Sequence, residues 1–407
     1  MVIPAGGFQA GLIVSSEHFV EQCFPETESM LGLSSIVDVY DRDDLYDFLD
    51  NTRIVEFSRL GGSAGFASPE NVSRSTGISI RRILCPGVTA VEIGIALGRR
   101  LEQESGILLC DFPVIMLCHS HTDPIACELL AEELSERLGI SAGRLLAFNF
   151  GCSGFLKLLH EAVLHLSGDE SVSRIALLNI ETPEIWHDSS DRLFCGIVAA
   201  GATAMVLERG KGIPVSTVRS EDFPVPDHLR PNPDPLFRRD TTHGFCFHGQ
   251  PIHRTVMRMN AEPVFLNGIE LMLAGLRTAA SSIEVLPGQR VIVVPHQPSG
   301  KLLKALLAAA RVEFPEFEYL NNLKTYGNTI SSSVPTILSR LPQVLEANGL
   351  QPLREGDHLI LLAAGICMEE ISDHMSAGHA CLQWVTVSER ETQLEERVLV
   401  HGSLPAV

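Results

Sequence analysis

The sequence predicts an α/β fold built from two similar halves. Patterns typical of buried strands and amphipathic helices alternate after one apolar strand, Val114–His119, and again after a second, Val291–Pro295. Each strand lies nearly the same distance from a glycine, Gly151 or Gly327, that opens a helix. The matched spacing indicates two βαβ-type units related by a pseudo-two-fold axis, with right-handed crossovers and mainly parallel strand pairing in each unit.

The proline-rich segment 224–234 separates the two units and indicates a connecting loop. We expect a first half at residues 1–210 and a second half at residues 211–407. Residues 22–70 resemble neither unit, because they contain an acidic run, Asp38–Asp50, and a stretch rich in glycine and serine. We interpret residues 22–70 as an insertion or flexible cover of the first half.

Local signals define further elements. Thr89 and Glu92 have the spacing of a capping box, which predicts a helix from Thr89 to Ser105 that ends at Gly106. A helix is also predicted over residues 301–310. Other predicted strands or apolar segments lie at residues 11–16, 145–150, 175–180, 202–207, 359–363 and about 382–387.

Composition excludes several classes of protein. With 407 residues, 45% of them hydrophobic and 20% charged, the chain can bury a large core. A formal charge of −19 argues against a nucleic-acid partner. No apolar run reaches the roughly 18–20 residues of a membrane span, and no secretory signal is visible. Ten cysteines without a CxxC pair favour reduced thiols and a cytoplasmic location.

Cys152 is the first candidate for chemistry. It lies where the strand predicted at residues 145–150 changes into a helix with an apolar face. At such a helix N-terminus, free backbone N–H groups and the helix dipole are expected to lower the pKa of a thiol. The alternative is that Cys152 is a small buried residue that only packs the turn.

His296 and Asn328 are the second and third candidates. His296 follows a very apolar strand, where catalytic groups of α/β sheets gather. Asn328 follows Gly327, so it occupies in the second half the position that Cys152 has in the first. Taken singly, His296 could be an ordinary strand-end histidine and Asn328 a helix N-cap. A pseudo-two-fold arrangement would instead bring the three side chains to one point.

The motifs around these residues resemble the β-ketoacyl-acyl-carrier-protein synthase III group of the thiolase superfamily. The similarity includes the Cys152 turn, the His-Gln strand end at His296 and the Gly-Asn-Thr-x-Ser-Ser-x-Val-Pro turn at Asn328. It extends over roughly residues 71–210 and 245–370, with further matching segments at residues 75–83, 191–208 and 247–252. The resemblance implies the thiolase fold, a five-layered αβαβα arrangement of two pseudo-symmetric halves.

The resemblance also implies roles for the candidate residues. Cys152 would accept an acyl group from a thioester, and the backbone N–H groups of Cys152 and Gly365 would stabilise the oxyanion. His296 and Asn328 would bind the carbonyl of a second thioester, whose carbanion attacks the acyl-Cys152 in a Claisen-type condensation. The substrates would be thioesters of phosphopantetheine or coenzyme A, with no other cofactor.

Partners and departures follow from the same resemblance. Lys301 stands where the family has a basic residue that helps to dock carrier protein and phosphate, so an acyl carrier protein is expected as a partner. The resemblance also implies a homodimer. Asn71 and Ser75 replace a tryptophan and an arginine of the family's coenzyme A site, which leaves carrier protein and coenzyme A both open. Glu128 is a weaker candidate for the catalytic glutamate of some relatives. Fatty-acid, polyketide or specialised lipid biosynthesis is the expected context.

The sequence supports other functions less well or leaves them open. A cysteine hydrolase is disfavoured, because Phe150 stands where its nucleophile elbow needs a small residue. Acyl transfer to an alcohol or amine, and a non-catalytic partner subunit with the same fold, stay open. His119 and His121 alternate on one predicted strand, but they have no third ligand at useful spacing, so we expect no metal site.

Overall fold

The computed structural model describes residues 31–368 and 373–385, except for positions 63, 124, 193, 231 and 233. The strand predicted at residues 11–16 lies outside the described residues. The strands are β1 Leu31–Asp38, β2 Tyr46–Asp50, β3 Ile80–Leu84, β4 Val114–Cys118, β5 Leu145–Phe148, β6 Arg174–Glu181, β7 Gly201–Arg209, β8 Ile213–Pro224, β9 Phe237–Phe245, β10 Pro251–Met259, β11 Val291–Pro295, β12 Glu318–Tyr319, β13 His358–Ile366 and β14 His374–Gln383.

Helices alternate with many of these strands along the chain. They are α1 Asn51–Phe57, α2 Pro69–Thr76, α3 Ala90–Ser105, α4 Ala126–Leu138, α5 Gly154–Gly168, α6 Ala261–Ser281, α7 Gly300–Glu313, α8 Leu323–Tyr326, α9 Ser333–Ser339 and α10 Leu341–Ala347. The predicted helix at residues 89–105 is confirmed, and Thr89 N–H donates to the Glu92 carboxylate at 2.9 Å, as in a capping box. Within the described residues, no helix is both long and apolar enough to cross a membrane.

Both halves have the same strand order. The large sheet runs β5-β4-β6-β7-β1 and continues as β8-β14-β13-β11-β12. When the five strands of each half are numbered in chain order, both read 3-2-4-5-1 from the outer edge. The two halves meet where Gly32 and Leu33 of β1 pair with Pro214 and Ile213 of β8. The predicted repetition of one unit is therefore confirmed by the topology.

The strand directions differ from the sequence prediction. In the first half, β4 pairs in parallel with β5 and β6, whereas β7 pairs antiparallel with β6 and β1. The second half repeats this pattern, with two parallel and two antiparallel pairs. Mainly parallel pairing was therefore wrong, because no described α-helix separates β6 from β7 or β13 from β14, and both pairs are antiparallel. The division at residues 210 and 211 falls between β7 and β8 and stays a prediction.

The layers follow from the core. Helices α5 and α9 lie between the two halves of the sheet, and their buried side chains share one cluster with strands of both halves. Helices α3 and α4 cover the outer face of the first half, and α6 and α7 cover the second. This is the expected five-layered αβαβα arrangement. A central helix pair with buried apolar side chains is what the two facing halves of the sheet require to bury their inner faces.

The interpretation of residues 22–70 as an insertion or flexible cover is wrong for its described part. β1 is a central strand, with Leu33 and Val37 buried and paired against β7. Asp38, the first residue of the acidic run, is buried, but Arg340 donates to its carboxylate from Nε at 2.7 Å. The charge that suggested an exposed segment is thus neutralised by a residue far along the chain.

Two other segments also differ from expectation. The strand predicted at about residues 382–387 is β14, which begins at His374 and ends at Gln383. The connecting loop at residues 224–234 is followed by a hairpin of β9 and β10 that the sequence analysis did not predict. Met257 and Met259, on the second strand of this hairpin, contribute to the cavity described below.

Burial in α5 makes a testable prediction. Leu156 is 0% exposed between the sheet halves, so Leu156→Ala should lower the free energy of unfolding by about 2–5 kcal/mol through lost contacts and a cavity. Leu164→Ala is the matched control on the same helix, because Leu164 is 41% exposed and should change it by less than about 0.5 kcal/mol. Urea unfolding followed by circular dichroism measures both. Equal effects would contradict the central position of α5.

Candidate active site

Cys152 lies in a turn that packs closely against strand β13 of the other half. The turn of 3-10 helix Gly151–Ser153 joins β5 to α5. Gly151 has φ of 70°, and a Cβ added there would lie 2.9 Å from the carbonyl oxygen of Ile366. Gly365 of β13 packs directly against Cys152, leaving no room for a side chain at position 365. Glycines on both sides therefore let the nucleophile's turn contact a strand of the other half.

Asn328 lies in the equivalent turn of the second half. Gly327 has φ of 71°, and a 3-10 turn, Ile330–Ser332, leads into α9. Asn328 Nδ2 donates to the carbonyl oxygen of Pro298 at 3.2 Å, and its Oδ1 accepts from Ile330 N–H at 2.9 Å. These two bonds fix the orientation of the carboxamide. The second N–H on Nδ2 stays available for a ligand.

His296 lies at the end of β11 and is 0% exposed. Its backbone N–H donates to Leu362 O at 2.7 Å, which continues the ladder with β13. Neither ring nitrogen has a hydrogen-bond partner within the described part of the chain. Burial lowers the pKa of His296 to about 3, so the imidazole is neutral near pH 7 and offers one donor and one acceptor.

One cavity of about 590 Å³ is bordered by Cys152, His296 and Asn328 together. Gly365 and Lys301 also border it. Much of the remaining wall is apolar or aromatic, including Phe66, Trp186, Phe194, Met257, Met259 and Val264. The structure thus brings the three sequence-predicted side chains to a single space that has room for an apolar acyl group.

The predicted low pKa of Cys152 is wrong for this structure. Burial raises the pKa of the thiol to about 12, and the nearby Glu181 carboxylate adds to the increase. The helix N-terminus favours the thiolate, whereas desolvation by the surrounding protein, which sequence alone does not reveal, favours the protonated thiol. The thiol is therefore protonated near pH 7.

Glu181 is a residue of this site that the sequence analysis missed. It ends β6, and its Oε1 accepts from Ser120 Oγ at 2.8 Å and from Ser331 Oγ at 2.5 Å. Backbone N–H groups of Ser120 and Ser331 also donate to the carboxyl group, each at 3.3 Å. Burial raises the pKa of Glu181 to about 8. A charged residue at the end of the apolar run Ile175–Ile180 is the signal that could have revealed it.

The chain is similar in sequence to known proteins. A family model described as the C-terminal part of 3-oxoacyl-[acyl-carrier-protein] synthase III matches residues 284–369. The β-ketoacyl-[acyl-carrier-protein] synthase III of Roseiflexus sp. is 29% identical over 316 residues, covering 73% of this chain and 87% of that protein. The chain is therefore similar to β-ketoacyl-acyl-carrier-protein synthase III enzymes over most of its length.

Solved structures show that the synthase III-like fold covers most of this chain. The synthase III of Pseudomonas aeruginosa PAO1 superposes with a TM-score of 0.66 at 17% identity, covering 88% of this chain and 99% of that one. The priming β-ketosynthase of the R1128 polyketide pathway gives the same TM-score and identity, covering 88% and 96%. At this identity the likeness establishes the shared fold.

Of the other residues predicted for the synthase III-like site, Gly365 and Ser75 border the cavity and Glu128 does not. Gly365 lies within β13, opposite Ser376 of β14, and not in a loop. Ser75 borders the cavity, as does Arg192, whose guanidinium lies 4.8 Å from the Phe66 ring centroid. The sequence analysis missed Arg192 and Phe66. Glu128 is exposed on α4 and lies outside the cavity lining.

Metal ligands do not gather near the synthase III-like site. His119 is buried and its Nδ1 is 2.7 Å from Ile180 O, while His121 Nδ1 accepts from Asp123 N–H at 2.8 Å. Over residues 31–368 and 373–385, apart from the five omitted positions, no group of three or more His, Cys, Asp or Glu side chains could hold a metal ion.

The high pKa of Glu181 predicts a pH-dependent stability. Between about pH 4.5 and pH 8 the folded protein holds a proton that the unfolded chain releases, so the free energy of unfolding falls as the pH rises. Glu181→Gln removes this titration while it keeps an acceptor for Ser120 and Ser331. We expect the wild type to lose more stability than the variant between about pH 5 and pH 8, by on the order of 3 kcal/mol.

Urea unfolding of both proteins at the two pH values measures this difference. Glu136→Gln is the matched control, because Glu136 is exposed on α4 and should leave the pH dependence of the wild type unchanged. An identical pH dependence for the wild type and Glu181→Gln would contradict a raised pKa at Glu181.

Proposed function

We propose that this protein forms a carbon–carbon bond by Claisen-type condensation of an acyl-Cys152 intermediate with a second acyl thioester. The observation that supports it most is the pair of equivalent turns that place Cys152 and Asn328 on one cavity with His296. A thiol, a neutral imidazole and a carboxamide are the groups needed to accept an acyl group and then to stabilise an enolate.

The first half-reaction transfers the acyl group. The sulfur of Cys152 attacks the thioester carbonyl of the first substrate, and the backbone N–H groups at Cys152 and Gly365 are proposed to stabilise the oxyanion. A new C–S bond forms, the original C–S bond breaks, and the proton of the Cys152 thiol leaves with the departing thiol. Because the thiol is protonated in the free enzyme, attack and proton loss are coupled.

The second half-reaction forms the product. His296 and Asn328 are proposed to donate hydrogen bonds to the carbonyl of the second thioester, which stabilises the enolate formed by decarboxylation or deprotonation. The carbanion attacks the acyl carbon on Cys152, so a C–C bond forms and the C–S bond to Cys152 breaks. In the decarboxylative route CO2 leaves and the Cys152 thiolate takes a proton from water. In the deprotonative route the proton removed from the second thioester restores the Cys152 thiol. A neutral His296 suits this role, because its ring N–H can donate a hydrogen bond to the carbonyl oxygen while the ring itself carries no charge.

The substrates we propose are acyl thioesters whose chains occupy the apolar wall of the cavity. Lys301 borders the cavity and is exposed at the start of α7, where Lys304 and Arg311 are exposed on the same helix. These cations would attract the acidic surface of an acyl carrier protein and the phosphate of its pantetheine arm. A homodimer and a cytoplasmic location stay predictions, as does the choice between fatty-acid, polyketide and specialised lipid synthesis.

Variants of the two catalytic candidates separate the half-reactions. Cys152→Ala should abolish the mass increase that an acyl thioester produces on the intact protein. His296→Ala should retain that mass increase and reduce condensation by at least about 100-fold, because it removes a donor to the enolate. Mass spectrometry measures acylation, and product release followed by chromatography measures condensation.

Cys110→Ala is the matched control, because Cys110 is part-exposed and lies outside the cavity lining. It should acylate and condense like the wild type. If His296→Ala also lost acylation, His296 would act as the base that activates the thiol, and its proposed role in the second half-reaction would be wrong.

The basic start of α7 predicts a charge-dependent interaction with the carrier. Lys301→Glu should raise KM for an acyl-carrier-protein substrate by about tenfold, with kcat retained, and the effect should shrink as salt is added. Lys211→Glu is the control, since Lys211 is exposed beyond β7 and outside the cavity lining. Steady-state kinetics at two ionic strengths decide this. An unchanged KM for Lys301→Glu would contradict carrier docking at α7.

A further inference from the structure

A second histidine, His187, borders the cavity of Cys152. It follows the 3-10 turn Pro183–Ile185, and its backbone N–H donates to Pro183 O at 2.8 Å. Its ring centroid lies 3.9 Å from that of Trp186 and 4.1 Å from that of Phe194. The side chain is 0% exposed. The imidazole is therefore fixed between two aromatic rings in the wall of the cavity.

Neither ring nitrogen of His187 has a hydrogen-bond partner among the residues that the structure describes. Buried polar groups are rarely left in this state. His119 shows the usual outcome, because it is equally buried but its Nδ1 contacts a backbone carbonyl oxygen at 2.7 Å. The hydrogen-bonding capacity of His187 is thus unused by the described part of the protein, in a residue that borders the cavity.

The protonation state defines what His187 can bind. Burial lowers the pKa of His187 well below its usual value, and the positive charges of Arg254 and Arg258 act in the same direction. The imidazole is neutral near pH 7, with one N–H donor and one acceptor nitrogen. A hydroxyl group can satisfy either nitrogen, and a keto oxygen can accept from the N–H.

The surrounding wall is apolar, with Met257, Met259 and Val264 near the aromatic pair. A plain alkyl chain would fill this space but would leave the imidazole without a partner. A chain with one suitably placed oxygen would fill the same space and remove that penalty. His187 therefore distinguishes two acyl chains of nearly equal size.

We propose that His187 is a specificity-determining residue that hydrogen-bonds a hydroxyl or keto oxygen on the acyl chain of the first substrate. The proposal rests on the proposed function, since it concerns the acyl group attached to Cys152. It names the substrate class as oxygenated acyl thioesters in preference to unsubstituted ones.

A competition experiment tests this on the full-length protein. Equimolar octanoyl and hydroxyoctanoyl thioesters of N-acetylcysteamine are offered together, with the hydroxyl moved stepwise from the third carbon to the terminal carbon. The mass of one added oxygen distinguishes the two acyl-Cys152 products. We expect the wild type to favour at least one hydroxylated isomer by about tenfold, equivalent to about 1.4 kcal/mol.

Variants assign the preference to the imidazole. His187→Phe should keep octanoyl labelling and lose the preference, whereas His187→Gln should keep part of it because the amide still forms hydrogen bonds. His253→Phe is the matched control, since His253 is exposed on β10 and outside the cavity lining, so the wild-type preference should remain. If His187→Phe does not fold, the wild-type competition and His187→Gln decide the question.

The outcomes separate this proposal from the proposed function. If no thioester labels Cys152, the proposed function is wrong and this inference with it. If octanoyl labels Cys152 but no hydroxylated isomer is preferred, the inference alone is overturned. A preference that survives in His187→Phe also overturns it.

Discussion

The structure depends on a close approach between the turn of Cys152 and strand β13. Gly365 has no space for a side chain beside Cys152, and Gly151 faces the carbonyl oxygen of Ile366. A larger residue at either position would separate the two halves at the point where the cavity forms. Glu181 reinforces the same contact, because its carboxyl group bonds Ser120 of one half and Ser331 of the other.

Desolvation then sets the chemistry of the site. The same burial keeps Cys152 protonated and His296 neutral, so the charges near the reacting groups are those of Arg192 and Lys301 on the cavity wall and, at higher pH, that of Glu181. Neutral groups cost less free energy to bury than ions do. Charge is expected to develop only when a thioester enters, and fixed N–H donors are then most effective because little water competes with them.

Local signals predicted the reactive turns, whereas distant partners explain what was missed. Gly151 and Gly327 both have positive φ, so the glycine-led turns at Cys152 and Asn328 could be recognised from sequence. The position of β1 could not, because the charge of Asp38 is offset by Arg340 in the other half. The prediction of a low pKa for the Cys152 thiol was wrong for a similar reason, because the helix end is a local feature whereas burial depends on the whole fold.

The place of β1 has a consequence for how the chain acquires its shape. It is the earliest described strand, yet it sits in the middle of the ten-stranded sheet between β7 and β8. A ribosome releases Leu31–Asp38 long before Gly201–Arg209 and Ile213–Pro224 exist. During synthesis β1 has no strand to pair with, so nascent chains are expected to need protection from pairing with one another until β7 and β8 have been made.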